Sequence, residues 1–182
     1  MLDVVAYDRC LRYASLRRRA GEGTKQVFCS EAELVDAAVR HLKAGCSPWG
    51  SVEIVTEWDY RHGRADILAR KSCLALVALE AKLTRWQVAC DQAYRSTAYA
   101  SQAYVLLPDN VANRALGYAR HFKERHIGLC SVTHADIRVL IAAPVVRPLM
   151  QWVTELAHST FDSLTDASTE SRSDRADRLC TA

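Results

Sequence analysis

No apolar run in the 182 residues approaches the roughly 20 needed for a helix to cross a bilayer. The first stretch, MLDVVAYDRCLRYASLRRRA, puts its acids early and its arginines late, and no small-residue cleavage site follows. That is the wrong order for a secretory signal, so a cytoplasmic protein without membrane attachment is expected. The seven cysteines (10, 29, 46, 73, 90, 130 and 180) include no C-x-x-C pair, and none stands beside a histidine at zinc-ligand spacing. Their odd number argues for reduced, mostly buried thiols rather than a disulfide or zinc framework. The six histidines are scattered, with none at metal spacing. The GEG at 21–23 is too short to cradle a phosphate, and no serine sits in a nucleophile elbow. No internal repeat is present.

What is there is an ordinary globular composition, 49% hydrophobic and 25% charged, long enough for one domain with a real core. The net charge of +3 is unevenly spread. Residues 159–182 hold three arginines and five acids, which leaves the body more basic than the whole. Residues 1–29 have six Lys/Arg against three acids. A basic surface of this kind tolerates a phosphate backbone as partner.

The pattern divides the chain into a basic helical extension over 1–29, one domain over 30–158, and a disordered tail over 159–182, rich in Ser, Thr, Asp and Arg. Apolar spacing predicts a helix over 8–20. SEAELVDAAVRHLKAG, 30–45, predicts another, with Ser30 as N-cap, Glu33 completing a capping box and Gly45 ending it. Strands are expected over 51–60, 64–72 and 73–83, close enough to form an antiparallel meander. A helix over 84–100 capped by Thr84, a strand over 102–109, a helix over 110–125, strands over 126–132 and 136–144, and a helix over 147–159 complete the order. This is α/β with a mixed sheet flanked by helices.

The segment LALVALEAKL, 74–83, is apolar until Glu80 and Lys82. Alternation puts those two on one face of the strand. A carboxylate at the end of such a strand is costly unless something pairs with it. An ion pair at the strand end explains Glu80 and Lys82 by themselves. Asp66 changes the balance. It precedes an apolar run in the neighbouring strand, and a hairpin around 70–73 brings it to the same sheet end as Glu80. Two carboxylates side by side cannot both ionise cheaply, and a divalent cation resolves the conflict. All-oxygen ligation suits Mg²⁺ or Mn²⁺.

Asp66 followed by Glu80-Ala81-Lys82 resembles the PD-(D/E)XK nuclease signature of restriction endonucleases and Holliday-junction resolvases. The helix, three strands, helix, strand order over 30–132 is also similar to that family's core. The proline of the motif is replaced by Ala65. The resemblance implies a restriction-endonuclease-like fold and metal-dependent hydrolysis of DNA phosphodiesters. It makes Asp66 and Glu80 the ligands of Mg²⁺ or Mn²⁺, with the Ala81 carbonyl beside them, and gives Lys82 the attacking water. Gln92, on the following helix, matches a Gln the family often carries there, although the Q-x-x-x-Y variant fails because residue 96 is Ser. Glu31 matches a metal-site Glu of resolvase-like members, and Glu57 is another acid near Asp66. For both, and for Gln92, a plain surface role is the competing reading. Arg85 and Arg95 are candidate phosphate contacts. A homodimer is the assembly the resemblance implies. The alternative of a different class is a catalytically silent module of the same fold that binds nucleic acid or a protein partner.

Overall fold

The computed structural model describes residues 27–61 and 63–179, with side chains to 165. The expected helix over 8–20, most of the basic extension over 1–29, and His62 lie outside the described residues. Helix α1, Glu31–Lys43, begins as its sequence directs: the Ser30 hydroxyl accepts from the Glu33 amide at 3.1 Å. The Glu33 carboxylate reaches one residue further back than a standard box, to the Cys29 amide at 2.7 Å. At the other end Gly45 takes φ +65°, and the amides of Gly45 and Cys46 bond the carbonyls of Leu42 and His41. That is a Schellman ending, which glycine adopts without a Cβ penalty.

Six strands form one sheet in sequence order: β1 Val52–Tyr60, β2 Gly63–Lys71, β3 Leu76–Ala81, β4 Gln102–Pro108, β5 Gly128–Val132 and β6 Ile137–Ile141. The first three make the expected antiparallel meander. Helix α2, Trp86–Ser96, then carries the chain over to β4, which pairs parallel to β3, and β5 is parallel to β4. β6 returns antiparallel, so the sheet is mixed. One face packs α1 through Leu34, Ala38 and Leu42 onto Ile67, Val77, Leu79 and Leu106. The other packs α2 and the later helices onto Leu68, Leu76, Ala78 and Val105. Every residue of β3 is buried, as a strand covered on both faces must be.

Several boundaries differ from expectation. β3 starts at Leu76, not 73, because Leu74 sits in a turn at φ +63°, 62% exposed, its amide bonding the Lys71 carbonyl at 2.8 Å. Helix α2 begins at Trp86 with no side-chain cap, so Thr84 is not its N-cap. The helix expected over 110–125 is three pieces: α3 Asp109–Ala115, a 3₁₀ turn Leu116–Tyr118, and α4 Ala119–Glu124. Gly117, a poor helix former, lies at the break. Cys90 and Cys130 are buried as expected, whereas Cys29 and Cys73 are exposed and Cys46 is disulfide-bonded.

The tail expected to be disordered from 159 is instead helical. Helix α5 runs Gln151–Leu179, and its Val153, Ala157 and Phe161 enter the core. Thr160 accepts from the Trp58 indole at 3.2 Å, and Asp162 pairs with Arg70, which also holds Glu53. The domain therefore extends past 158.

Candidate active site

The register of β2 against β3 pairs Ile67 with Leu79, and one step further places Asp66 opposite Glu80. The backbone ladder stops at that step. The Lys82 amide bonds the Leu106 carbonyl of β4 at 3.2 Å, so the Ala81 amide faces β2. The Asp66 carboxylate accepts it, at 2.8 Å. A side chain thus closes the end of the ladder where the backbone does not.

Glu80 is 1% exposed. Its Oε1 accepts from the Ser96 hydroxyl on α2 at 3.1 Å, and Ser96 in turn accepts from Tyr99 at 3.1 Å. Oε2 is buried and makes no hydrogen bond among the described residues. Enclosure, and after it the negative charge of Asp66, push the Glu80 carboxyl up to about 8; the Ser96 bond, the Lys82 charge and the nearby Asp66 backbone amide pull it back in part. The proton is therefore retained well above the usual carboxylate range. A group raised in the folded state contributes stability that is full below its unfolded value and is lost as pH climbs through about 8. Without divalent cations, the melting temperature is expected to fall between pH 5 and 8. In Glu80→Gln, neutral at every pH, that fall should shrink. Equal slopes in the two proteins would show that Glu80 titrates normally.

Lys82 is 16% exposed, and its Nζ lies 2.8 Å from the Glu31 carboxylate at the start of α1. Glu31 is thereby engaged with the lysine, not with the Asp66–Glu80 pair. Glu57 stands at φ +52°. Val55 and Trp58, three apart, belong to the same core, so the alternation of β1 breaks at Glu57. Together with Glu31, Val35, Thr56, Arg64 and Asp66 it lines a cleft of about 260 Å³ between α1 and the β1–β2 pair. The four acids the sequence nominated thus sort into two groups. Glu31, Glu57 and Asp66 share the cleft wall, while Glu80, opposite Asp66, is covered by α2.

Gln92 is one turn before Ser96 on α2, and its Oε1 is buried without a hydrogen bond among the described residues. Residues four apart share a helix face, so Gln92 and Ser96 approach the sheet together. Arg85 flanks the start of α2 and Arg95 bonds the Asp91 carbonyl at 3.3 Å; both are exposed and neither meets the carboxylates. Sequence reasoning missed Ser96 and Tyr99. The signal was available: Ser96 lies one helical turn after Gln92, on the same face of α2.

Among the described residues, no group of three or more His, Cys, Asp or Glu side chains is arranged to hold a metal ion. None of the described helices is long and apolar enough to cross a membrane. No family model matches the chain, and no curated protein matches it. In fold the chain is similar to a protein of unknown function from Silicibacter pomeroyi. The two are 14% identical, with a TM-score of 0.57 over 82% of this chain and 96% of that one. The likeness establishes the α/β architecture and assigns no activity.

Proposed function

We propose that the protein is a Mg²⁺- or Mn²⁺-dependent endonuclease that hydrolyses DNA phosphodiesters on a restriction-endonuclease-like core of the PD-(D/E)XK kind. The observation that carries this reading is the open oxygen of Glu80, enclosed beside the charge of Asp66. A buried acceptor without a partner is rare and costs free energy. A hard cation shared by Asp66 and Glu80 would relieve both the open oxygen and the repulsion. Mg²⁺ is usually held by one or two carboxylates, with waters and substrate phosphate completing its shell. A two-carboxylate site therefore fits, although it is too small to form a cluster of three side-chain ligands. The Ala81 carbonyl is the third ligand the resemblance implies.

When bound, the cation supplies Lewis acidity toward the phosphate and the attacking water. The rest falls to the chain. Asp66 and Glu80 fix the position of the reaction at the carboxyl end of β3, where ligands of α/β sheets commonly sit. Lys82 leaves the strand two residues after Glu80 and offers an ammonium to the water and to the charge building on the phosphate. Glu31 holds that ammonium at the cleft. Ser96 steadies the Glu80 carboxyl from α2, with Gln92 one turn before it. Arg85 and Arg95 are left to contact phosphates further along the strand.

The Lys82–Glu31 pair favours one other reading, a silent module of the same fold that binds nucleic acid or a protein partner. The two separate in one experiment. Purified protein is incubated with single-stranded, duplex and branched DNA in Mg²⁺ or Mn²⁺, with and without EDTA. Cleavage that EDTA stops is the expected result. DNA binding without cleavage of any of these substrates would select the silent module.

A further inference from the structure

A second cleft, of about 480 Å³, opens two residues beyond Lys82 in the chain. Thr84, Trp86 and Gln87 at the start of α2 form one side; Arg114 of α3 and Tyr118 of the 3₁₀ turn form the other. Trp86 is half-buried; it stacks on the fully buried Phe122 at 5.5 Å and 25°, and Tyr118 is tilted against it at 5.1 Å and 33°. The aromatic cluster thus runs from the core to the surface, where Tyr118 is 60% exposed. A single exposed tyrosine needs no explanation. This one belongs to a cleft whose polar groups are uncommitted: the side chains of Thr84, Gln87 and Arg114 make no hydrogen bond or ion pair among the described residues. Of the basic residues that follow, Arg120 pairs with Glu124 and Arg125 with Asp91, which leaves Arg114 as the cation on the cleft wall.

An exposed aromatic face beside an unpaired arginine takes an unpaired nucleobase, because every base has a π-face and its phosphate needs a cation. We infer that this cleft is a stacking subsite for an unpaired nucleotide, so that the substrate is DNA with single-stranded character beside the cleaved bond. The nucleobase lies against the exposed Tyr118 ring, which Trp86 backs from the core side, and Arg114 takes the adjoining phosphate. This cleft opens at the carboxyl ends of β3 and β4, since Thr84–Gln87 follows the first and α3 follows the second, and Glu80 stands at the same end of β3. The place of the cleaved bond rests on the nuclease reading; the binding of an unpaired base does not.

The test is fluorescence anisotropy in EDTA, with a short labelled oligothymidylate and a blunt duplex of equal length. Tyr118→Ala and Arg114→Ala, both at exposed positions, are compared with wild type after melting curves confirm their folds. Each variant is expected to weaken single-strand binding about fivefold or more, as loss of a stacked base or a phosphate contact does, and to leave duplex binding unchanged. Arg114→Ala should also flatten the salt dependence of single-strand binding. Unchanged single-strand binding in both variants would overturn the inference, as would an equal loss on duplex. Cleavage in Mg²⁺ keeps the two readings apart. A wild type that cleaves duplex and binds single strands independently of Tyr118 retains the nuclease and loses the subsite. One that cleaves nothing but binds single strands through Tyr118 does the reverse.

Discussion

Lys82→Ala is expected to lower metal-dependent DNA cleavage by about two to four orders of magnitude, the usual loss when a positioned proton-transfer or charge-stabilising group is removed. The same substitution should hardly touch stability. Its ion-pair partner Glu31 is 48% exposed and stays hydrated without it, and a pair that water reaches in this way contributes about 0–1 kcal/mol. This dissociation separates the two explanations of the Glu80-Ala81-Lys82 segment. If Lys82 is only the partner of Glu31, the variant loses little of either quantity. If it serves the phosphate, rate falls while the melting temperature stays near that of wild type. Initial rates under saturating Mg²⁺ and a thermal melt give both numbers. A Lys82→Ala protein that cleaves as fast as wild type removes lysine from the chemistry.

Phe161→Ala is expected to cost about 3–5 kcal/mol, the usual range for emptying a buried aromatic site. For a domain of this size that is a fall in melting temperature of roughly 10 °C. Phe161 is 2% exposed, follows Val153 and Ala157 on the inner face of α5, and carries the Arg70 guanidinium 4.9 Å from its ring centre. Arg70 in turn ties β2 to Glu53 and Asp162. Leu164, three residues on and 53% exposed, is the control, and Leu164→Ala should cost under about 0.5 kcal/mol. Equal, small effects at both positions would mean that α5 does not complete the core. Chemical denaturation of the two variants beside wild type decides it.

Much of the frame is written plainly in the chain. Ser30, Glu33 and Gly45 mark the ends of α1, since caps depend on a few local atoms. The apolar runs gave the meander, and the two-residue spacing of Glu80 and Lys82 with Asp66 before its own run placed the two carboxylates opposite one another. The failures share a cause. Leu74 and Glu57 adopt left-handed backbone that their residue types disfavour, so tertiary demands set those turns. The Ser- and Asp-rich composition after 158 hid the i, i+4, i+8 stripe of Val153, Ala157 and Phe161 that makes α5 part of the core. In the site, the sequence could nominate acids but not sort them. Which acid pairs with Lys82 depends on where α1 meets the end of β3, and that contact spans 51 positions.

The claim on which the rest depends is that Asp66 and Glu80 share one divalent cation. Anomalous diffraction from crystals grown in Mn²⁺ measures it directly. The account predicts a peak about 2.0–2.3 Å from Glu80 Oε2 and from an Asp66 carboxylate oxygen. The same peak should be absent in crystals of Glu80→Gln. A well-ordered site in saturating Mn²⁺ with no peak between the two carboxylates, and with Oε2 of Glu80 still unpartnered, would contradict it.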